Sequence, residues 1–268
     1  MSTIPSADAI EAAEAFDDIL RSRMPELRPE AFEKSYDDFW AALENDGWLA
    51  IARELPRERP EQSLVLDLTA FAEVWGRHLL PLPFVEKIAE DLADLDGIDG
   101  VPYPVAASGA MIVTRGADSD DDFAPSLVLA DPADSGGRST YAHMHALWAA
   151  EAVGCAAAAL ELAVDYAKVR EAYGRPIGSF QALQHLLAND LAHVEAGRSG
   201  VAACALGATG TREIALDVVD RAITVVTDAI QAHGGIGFTW ELGLHLYLRH
   251  VLALRTVVAH TSPDDGAP

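Results

Sequence analysis

The feature that most constrains this chain is the near-unbroken helical patterning of its second half. From Tyr141 onward, small and aliphatic residues recur at i, i+3 and i+4 spacing, and the interruptions are short glycine or proline signals. Four long helices are predicted. The first runs from about His143 to Tyr173 and is stopped by Gly174 and Pro176. The second runs from about Ser179 to Leu206, broken by Gly207 and Gly210, and the third from about Thr211 to His233, ending at Gly234-Gly235. The fourth spans about Glu241 to Val258. Short connections make sequential helices antiparallel neighbours, and small residues such as Ala156 to Ala159, Ala202, Ala203 and Ala205 permit close helix contact. Residues 141–268 are therefore expected to form a four-helix bundle.

The first part of the chain divides differently. Residues 1–99 read as a helical domain. Ser6 is a plausible N-cap before Ala9-Ile10-Glu11; Phe32, Tyr36, Phe39, Trp40 and Leu43 share a helix face that ends at Asn45-Asp46-Gly47. A further helix runs from about Ser63 to His78, with Leu64, Leu68, Phe71, Val74 and Trp75 on one side and Pro81 and Pro83 beyond its end. Residues 100–140 hold short β-prone runs such as Ala110-Met-Ile-Val-Thr114 and Ser126-Leu-Val-Leu-Ala130, separated by acidic turns. They predict a small sheet of about three or four strands, too few to enclose a ligand unaided.

Composition narrows the possible partners. Asp and Glu exceed Lys and Arg by 42 to 19, a formal charge of −23, which disfavours nucleic acid and anionic lipid. The two cysteines, Cys155 and Cys204, lie in alanine-rich helical stretches and read as buried thiols of a reducing compartment. No basic, apolar leader opens the chain, and no run of about 18 uncharged apolar residues suggests a membrane span. A cytoplasmic location without membrane attachment is the expectation.

Two motifs carry chemistry. The first is Tyr166-Ala-Lys-Val-Arg-Glu-Ala-Tyr-Gly-Arg-Pro-Ile-Gly-Ser-Phe-Gln181, and the second is Gln231-Ala-His-Gly-Gly-Ile-Gly237. A helix end followed by a Gly-Arg-Pro turn presents Arg170 and Arg175 as guanidinium groups suited to bidentate diphosphate binding. Tyr173 offers an aromatic face to a purine, and Gly234 and Gly235 let backbone approach a phosphate or ribose. The plainer alternative is that Arg170 pairs with Glu171 or Asp165 and that the glycines only stop helices. In order and spacing, and together with Leu246-Tyr-Leu-Arg249, these motifs resemble the C-terminal domain of acyl-CoA dehydrogenases over roughly 120 residues. The resemblance implies a mainly α, acyl-CoA dehydrogenase-like fold, with a shortened N-terminal helical domain and a reduced middle β-segment. It also implies that Arg170, Tyr173, Arg175, Gln181, Gln231, Gly234 and Gly235 grip the adenine-dinucleotide end of an FAD across a subunit interface.

Departures from the family pattern matter as much. The family's catalytic glutamate lies either in a segment after the last long helix, here Val257 to Pro263, or on the first long helix at a position near Met144. Neither place holds a carboxylate. Glu151, about two turns from Met144 on the same face, is a weak substitute base or else a structurally paired carboxylate. His143, His145 and His260 match no family role, and His233 and His245 have no metal-ligand spacing, so no metal is expected. The resemblance thus implies the non-catalytic subunit of a heteromeric, FAD-dependent acyl-CoA dehydrogenase of the kind used on steroid or other bulky CoA thioesters. A catalytic homologue would be its partner and an electron-transferring flavoprotein its electron acceptor. The alternatives are a self-sufficient shortened dehydrogenase using Glu151, and a flavin-free scaffold.

Overall fold

The computed structural model describes residues 3–23, 32–55, 61–80, 84–95 and 139–261. Helices α1 (Ala7–Arg23), α2 (Phe32–Asn45), α3 (Ile51–Glu54), α4 (Glu61–His78) and α5 (Phe84–Leu95) precede a bundle. The bundle consists of α6 (Ser139–Val169), α7 (Gln181–Ala205), α8 (Thr211–His233) and α9 (Leu244–His260). The predicted mainly α class and four-helix bundle are what the described residues form. The β-prone stretch lies almost wholly outside them.

Helix ends follow local chemistry. Ser6 caps α1, its hydroxyl accepting from the Ala9 amide at 3.2 Å while Asp67 of α4 accepts from the Ser6 amide at 2.6 Å. Gly47, with φ +83°, closes the turn after α2. Helix α8 has the predicted bounds, whereas α9 begins at Leu244, three residues later than expected, because Gly243 adopts φ +71°.

The 31-residue α6 is the hub, with α4, α7, α8 and α9 all packed against it. By length and composition it could cross a membrane, although Glu151, Glu161 and Asp165 interrupt its apolar run, but 83% of its most apolar window is buried inside the protein. Its crossing with α4 is unusually close. A Cβ placed on Gly76 would lie 2.0 Å from the Glu151 carbonyl oxygen, and one on Gly154 would lie 2.0 Å from that of Glu73. The Cys155 thiol donates to the Gly76 carbonyl at 3.2 Å across the same contact. Backbone therefore touches backbone, and α1–α5 share one continuous core with the bundle, centred on Phe16, Phe71, Trp75, Phe84, Leu147 and Trp148. Both cysteines are free and buried, as their setting predicted.

Candidate functional site

Antiparallel packing brings the C-terminal ends of α6 and α8 to the same end of the bundle, and both sequence motifs with them. Tyr166 of α6 stacks on His233 of α8 with ring centroids 4.4 Å apart, and the His233 Nδ1–H donates to the Ala229 carbonyl at 2.8 Å. His233 is thus a buried strut joining the two motifs.

The first motif is not helical to Tyr173, as predicted; α6 ends at Val169. Residues 171–172 and 175–176 form a two-stranded hairpin, Glu171 opposite Pro176 and Ala172 opposite Arg175. Tyr173 and Gly174 have φ values of 54° and 77°, both positive, as a tight two-residue hairpin turn demands. The turn pushes Tyr173 out until it is 97% exposed. A short 3₁₀ turn, Ile177–Ser179, then leads into α7. A Cβ on Gly178 would meet the Ala167 carbonyl oxygen at 2.9 Å, so the turn lies flat against α6.

The charges of this end are open to a ligand. Arg170, Arg175, Gln181 and Gln231 are all exposed, and among the described residues neither Arg170 nor Arg175 forms an ion pair. Asp165, one suggested partner of Arg170, instead accepts from Lys168 at 2.8 Å. Arg175 stacks its guanidinium 4.1 Å over the Phe180 ring, whose edge also meets Tyr173 at 6.3 Å. Phe180 therefore holds both side chains, a role that sequence reading missed although Phe180 stood inside the quoted motif. Phe180 is also the N-cap of α7 and offers no side-chain acceptor, so the first amides of that helix add positive potential. Gly234 and Gly235 face open space, with nothing within 4 Å of where a Cβ would stand, and Gly234 needs glycine at φ 63° and ψ −139°. Two guanidiniums without an ion pair among the described residues, a projecting tyrosine and bare backbone could hold the diphosphate and adenine end of a dinucleotide. Around them Val169, Ile236, Phe238 and Trp240 are 76%, 49%, 71% and 52% exposed, an apolar rim on an acidic protein.

The opposite end of the bundle holds both places where a catalytic carboxylate was sought. His145 is buried between Thr211 (2.9 Å) and Thr261 (2.7 Å), so the start of α6 meets the end of α9. Met144 is buried there, and Val257 to Thr261 carry no carboxylate. His145 is thus engaged by hydroxyls, and His143 is half-buried beside it.

Glu151 lies deeper, 5% exposed, with its carboxylate 2.8 Å from His250 Nε2 of α9, a paired setting. Beside it is Glu86 of α5, which accepts from the Trp148 indole at 3.2 Å. Burial, and then the neighbouring Glu151, push the Glu86 carboxyl up to about 8, against the pull of hydrogen bonding. A second buried acid, Asp190 of α7, has no hydrogen-bond donor to either oxygen. Burial and the facing Asp228 raise it to about 7. Neither Glu86 nor Asp190 was singled out by sequence, where each is one acid among many. Among the described residues no cluster of three or more potential ligands could hold a metal.

A four-helix bundle sharing its core with a smaller helical unit defines the class. Residues 138–257 match the family model "Acyl-CoA dehydrogenase, C-terminal domain". Over these 120 of its 268 residues the chain is similar to the C-terminal domain of acyl-CoA dehydrogenases. It is 45% identical over 105 residues to the acyl-CoA dehydrogenase IpdE2 of Mycobacterium tuberculosis, a match covering 38% of this chain and 33% of that protein. It is 44% identical over 110 residues to FadE34 of the same organism, covering 38% of this chain and 16% of that one. The matches thus span a third or less of these relatives. Two solved structures share the fold: a Tcur3481–Tcur3483 steroid ACAD variant (TM-score 0.66, 23% identity, 93% of this chain and 92% of that one) and the ChsE4–ChsE5 complex of M. tuberculosis (TM-score 0.65, 16% identity, 97% and 95%).

Proposed function

We propose that this chain is the non-catalytic subunit of a heteromeric, FAD-dependent acyl-CoA dehydrogenase, and that its bundle end holds the ADP portion of a flavin whose active site belongs to a partner chain. The observation that carries a grip acting on another chain's flavin is the length of α6, joined to the absence of a carboxylate at the base position. Arg170, in the grip, lies 26 positions beyond Met144, at the base position, and at 1.5 Å per residue that is about 39 Å, longer than an extended dinucleotide. The grip therefore cannot hold the far end of a flavin that reacts at this chain's own base position. That position also lacks a carboxylate. Both structural relatives named above are two-component assemblies by their titles, which supports a heteromer.

In this role Arg170 and Arg175 would bind the diphosphate bidentately, Tyr173 would cover the adenine, Gln181 and Gln231 would offer amide hydrogen bonds, and Gly234-Gly235 would give backbone amides close approach. The apolar rim would seat on the partner and exclude water from these contacts. Flavin would supply the hydride acceptor for α,β-dehydrogenation of an acyl-CoA thioester, a steroid-derived one in keeping with the steroid ACAD structure, while a carboxylate of the partner takes the α-proton. Electrons would leave to an electron-transferring flavoprotein, in cytoplasmic lipid or steroid degradation. Glu151 is buried and paired with His250, a setting that favours a structural role for it over that of a substitute base.

Co-expression with a full-length homologue encoded beside this chain should yield a complex with fewer flavins than chains. In that complex Arg170→Ala with Arg175→Ala should lower flavin occupancy at least tenfold at limiting FAD, the expected cost of two charge-assisted contacts. Unchanged occupancy would refute the grip, and a yellow, active homo-oligomer of this chain alone would refute the subunit role.

A further inference from the structure

The centre of the molecule holds a group of ionisable side chains that the proposed function does not use. Glu86 of α5, Glu151 of α6 and His250 of α9 are 7%, 5% and 7% exposed, and they meet where three helices from both parts of the chain converge. Trp148 and Glu151 are three residues apart on α6 and so share a face. One donates to Glu86 at 3.2 Å and the other contacts His250 at 2.8 Å, which places the two carboxyl groups side by side. We propose that Glu86, Glu151 and His250 form a proton-linked latch that fastens α5 to the bundle, closed while Glu86 carries a proton and loosened when it does not.

The argument is one of charge in a dry site. The one basic side chain of the group, His250, is already taken by Glu151. A neutral Glu86 adds an acid that accepts from Trp148 and places no second charge beside Glu151. An ionised Glu86 places a charge in a dry site beside the Glu151 carboxyl, and the strain is relieved if α5 withdraws to expose Glu86 to water. Among the described residues, the charges on the packed elements are engaged with other partners. On α5 itself, Lys87 and Asp91 bind each other at 2.6 Å, and Asp91 also takes Arg53 of α3 at 2.8 Å. The charged groups of α4 are turned to other partners: Asp67 to Ser6, Glu73 to Arg198, Arg77 to Glu161 and His78 to Asp17. On α6 the remaining neighbour is Cys155, whose thiol is pushed up by burial and by Glu151, and so stays neutral.

The sign follows from linkage. The docked Glu86 holds its proton up to about pH 8, whereas an exposed one releases it near 4.5. Undocking of α5 therefore becomes easier as pH rises from about 5 to 8, by at most about tenfold per unit, and levels off above 8. Hydrogen exchange of the full chain, corrected for the intrinsic pH dependence of exchange, reads this directly. Protection of amides in residues 84–95 should fall at least tenfold between pH 6 and pH 8 and then flatten, while Glu86→Gln, whose side-chain oxygen still accepts from Trp148, should show a flat profile. A flat wild-type profile, or the same decline in Glu86→Gln, would overturn the latch. Infrared spectra of the Asp190→Asn chain give a reading that needs no change at Glu86. A protonated-carboxyl band should vanish with a midpoint near pH 8, and absence of such a band at pH 6 would equally overturn the proposal.

Discussion

Buried acids are where single residues carry the largest consequences in this protein. Asp190 lies in the α7 stripe that faces the core, with no donor to either oxygen and with Asp228 opposite. Its folded value, about 7, stands above the ordinary 3.8, so the folded state favours the protonated form. Stability is therefore lost as pH rises from about 4 to about 7, the reverse of a salt-bridged aspartate. Asp190→Asn removes that penalty. It should raise the thermal midpoint at pH 8, by the equivalent of about 1–2 kcal/mol after allowing for relaxation, and change it little at pH 4. Equal shifts at both pH values in scanning calorimetry would show that packing, not charge, is what changed. Tyr173 shows the converse case, a residue whose placement was half legible. Its place in a Tyr-Gly-Arg-Pro turn suggested an accessible aromatic face, and the ring is exposed, but its left-handed φ did not show, because two-residue turns of this kind usually announce themselves with Asn-Gly or Asp-Gly.

Helices were the legible elements because their signals are local. Periodicity gave their existence, and glycines with positive φ at 47, 210, 234 and 243 set their ends. The hairpin was hidden because two residues per strand are too few for an alternating pattern, so the segment read as the last turn of α6. What no local signal could reveal is which helices touch. Gly76 and Gly154 are ordinary helix-interior glycines in sequence, yet in the fold they are where α4 and α6 meet backbone to backbone. Adding one methyl there cannot be absorbed by rotating a side chain, since the obstacle is a main-chain carbonyl at 2.0 Å. Gly154→Ala should cost about 2–4 kcal/mol despite alanine's better helix propensity, because the helices must separate and uncover core residues. Urea unfolding followed by tryptophan fluorescence tests this. A stabilised Gly154→Ala protein would mean that the α4–α6 contact is looser than described. Glycine at that position is thus a requirement of tertiary packing, which overrides propensity.

At the scale of the whole molecule, charge and apolar surface are distributed as the proposed assembly requires. The chain carries a net −23, yet the end of the bundle holds two arginines that form no ion pair among the described residues, together with the exposed apolar side chains of Val169, Ile236, Phe238 and Trp240. A monomer in water gains nothing from exposing Phe238 at 71% and Trp240 at 52% on one turn, and contiguous exposed aromatics with a nearby arginine are the composition of interface hot spots. The resemblance in sequence pointed to candidate grip residues but not to this rim. Ile236 to Trp240 follow the Gly-Gly signal without any periodicity, and exposure is a property of the fold. If the rim seats the proposed catalytic partner, Phe238→Ser with Trp240→Ser should weaken the complex by at least a hundredfold in dissociation constant, corresponding to about 3 kcal/mol for two such anchors. The same double variant should leave the chain's own thermal midpoint nearly unchanged, because neither ring contributes to the core. Size-exclusion chromatography of the co-expressed pair, with flavin absorbance followed across the peak, separates the outcomes. Dissociation with loss of flavin from both chains places the cofactor at the shared surface. An intact complex that stays fully yellow would mean that the partner binds elsewhere on the chain and that the apolar rim serves another contact.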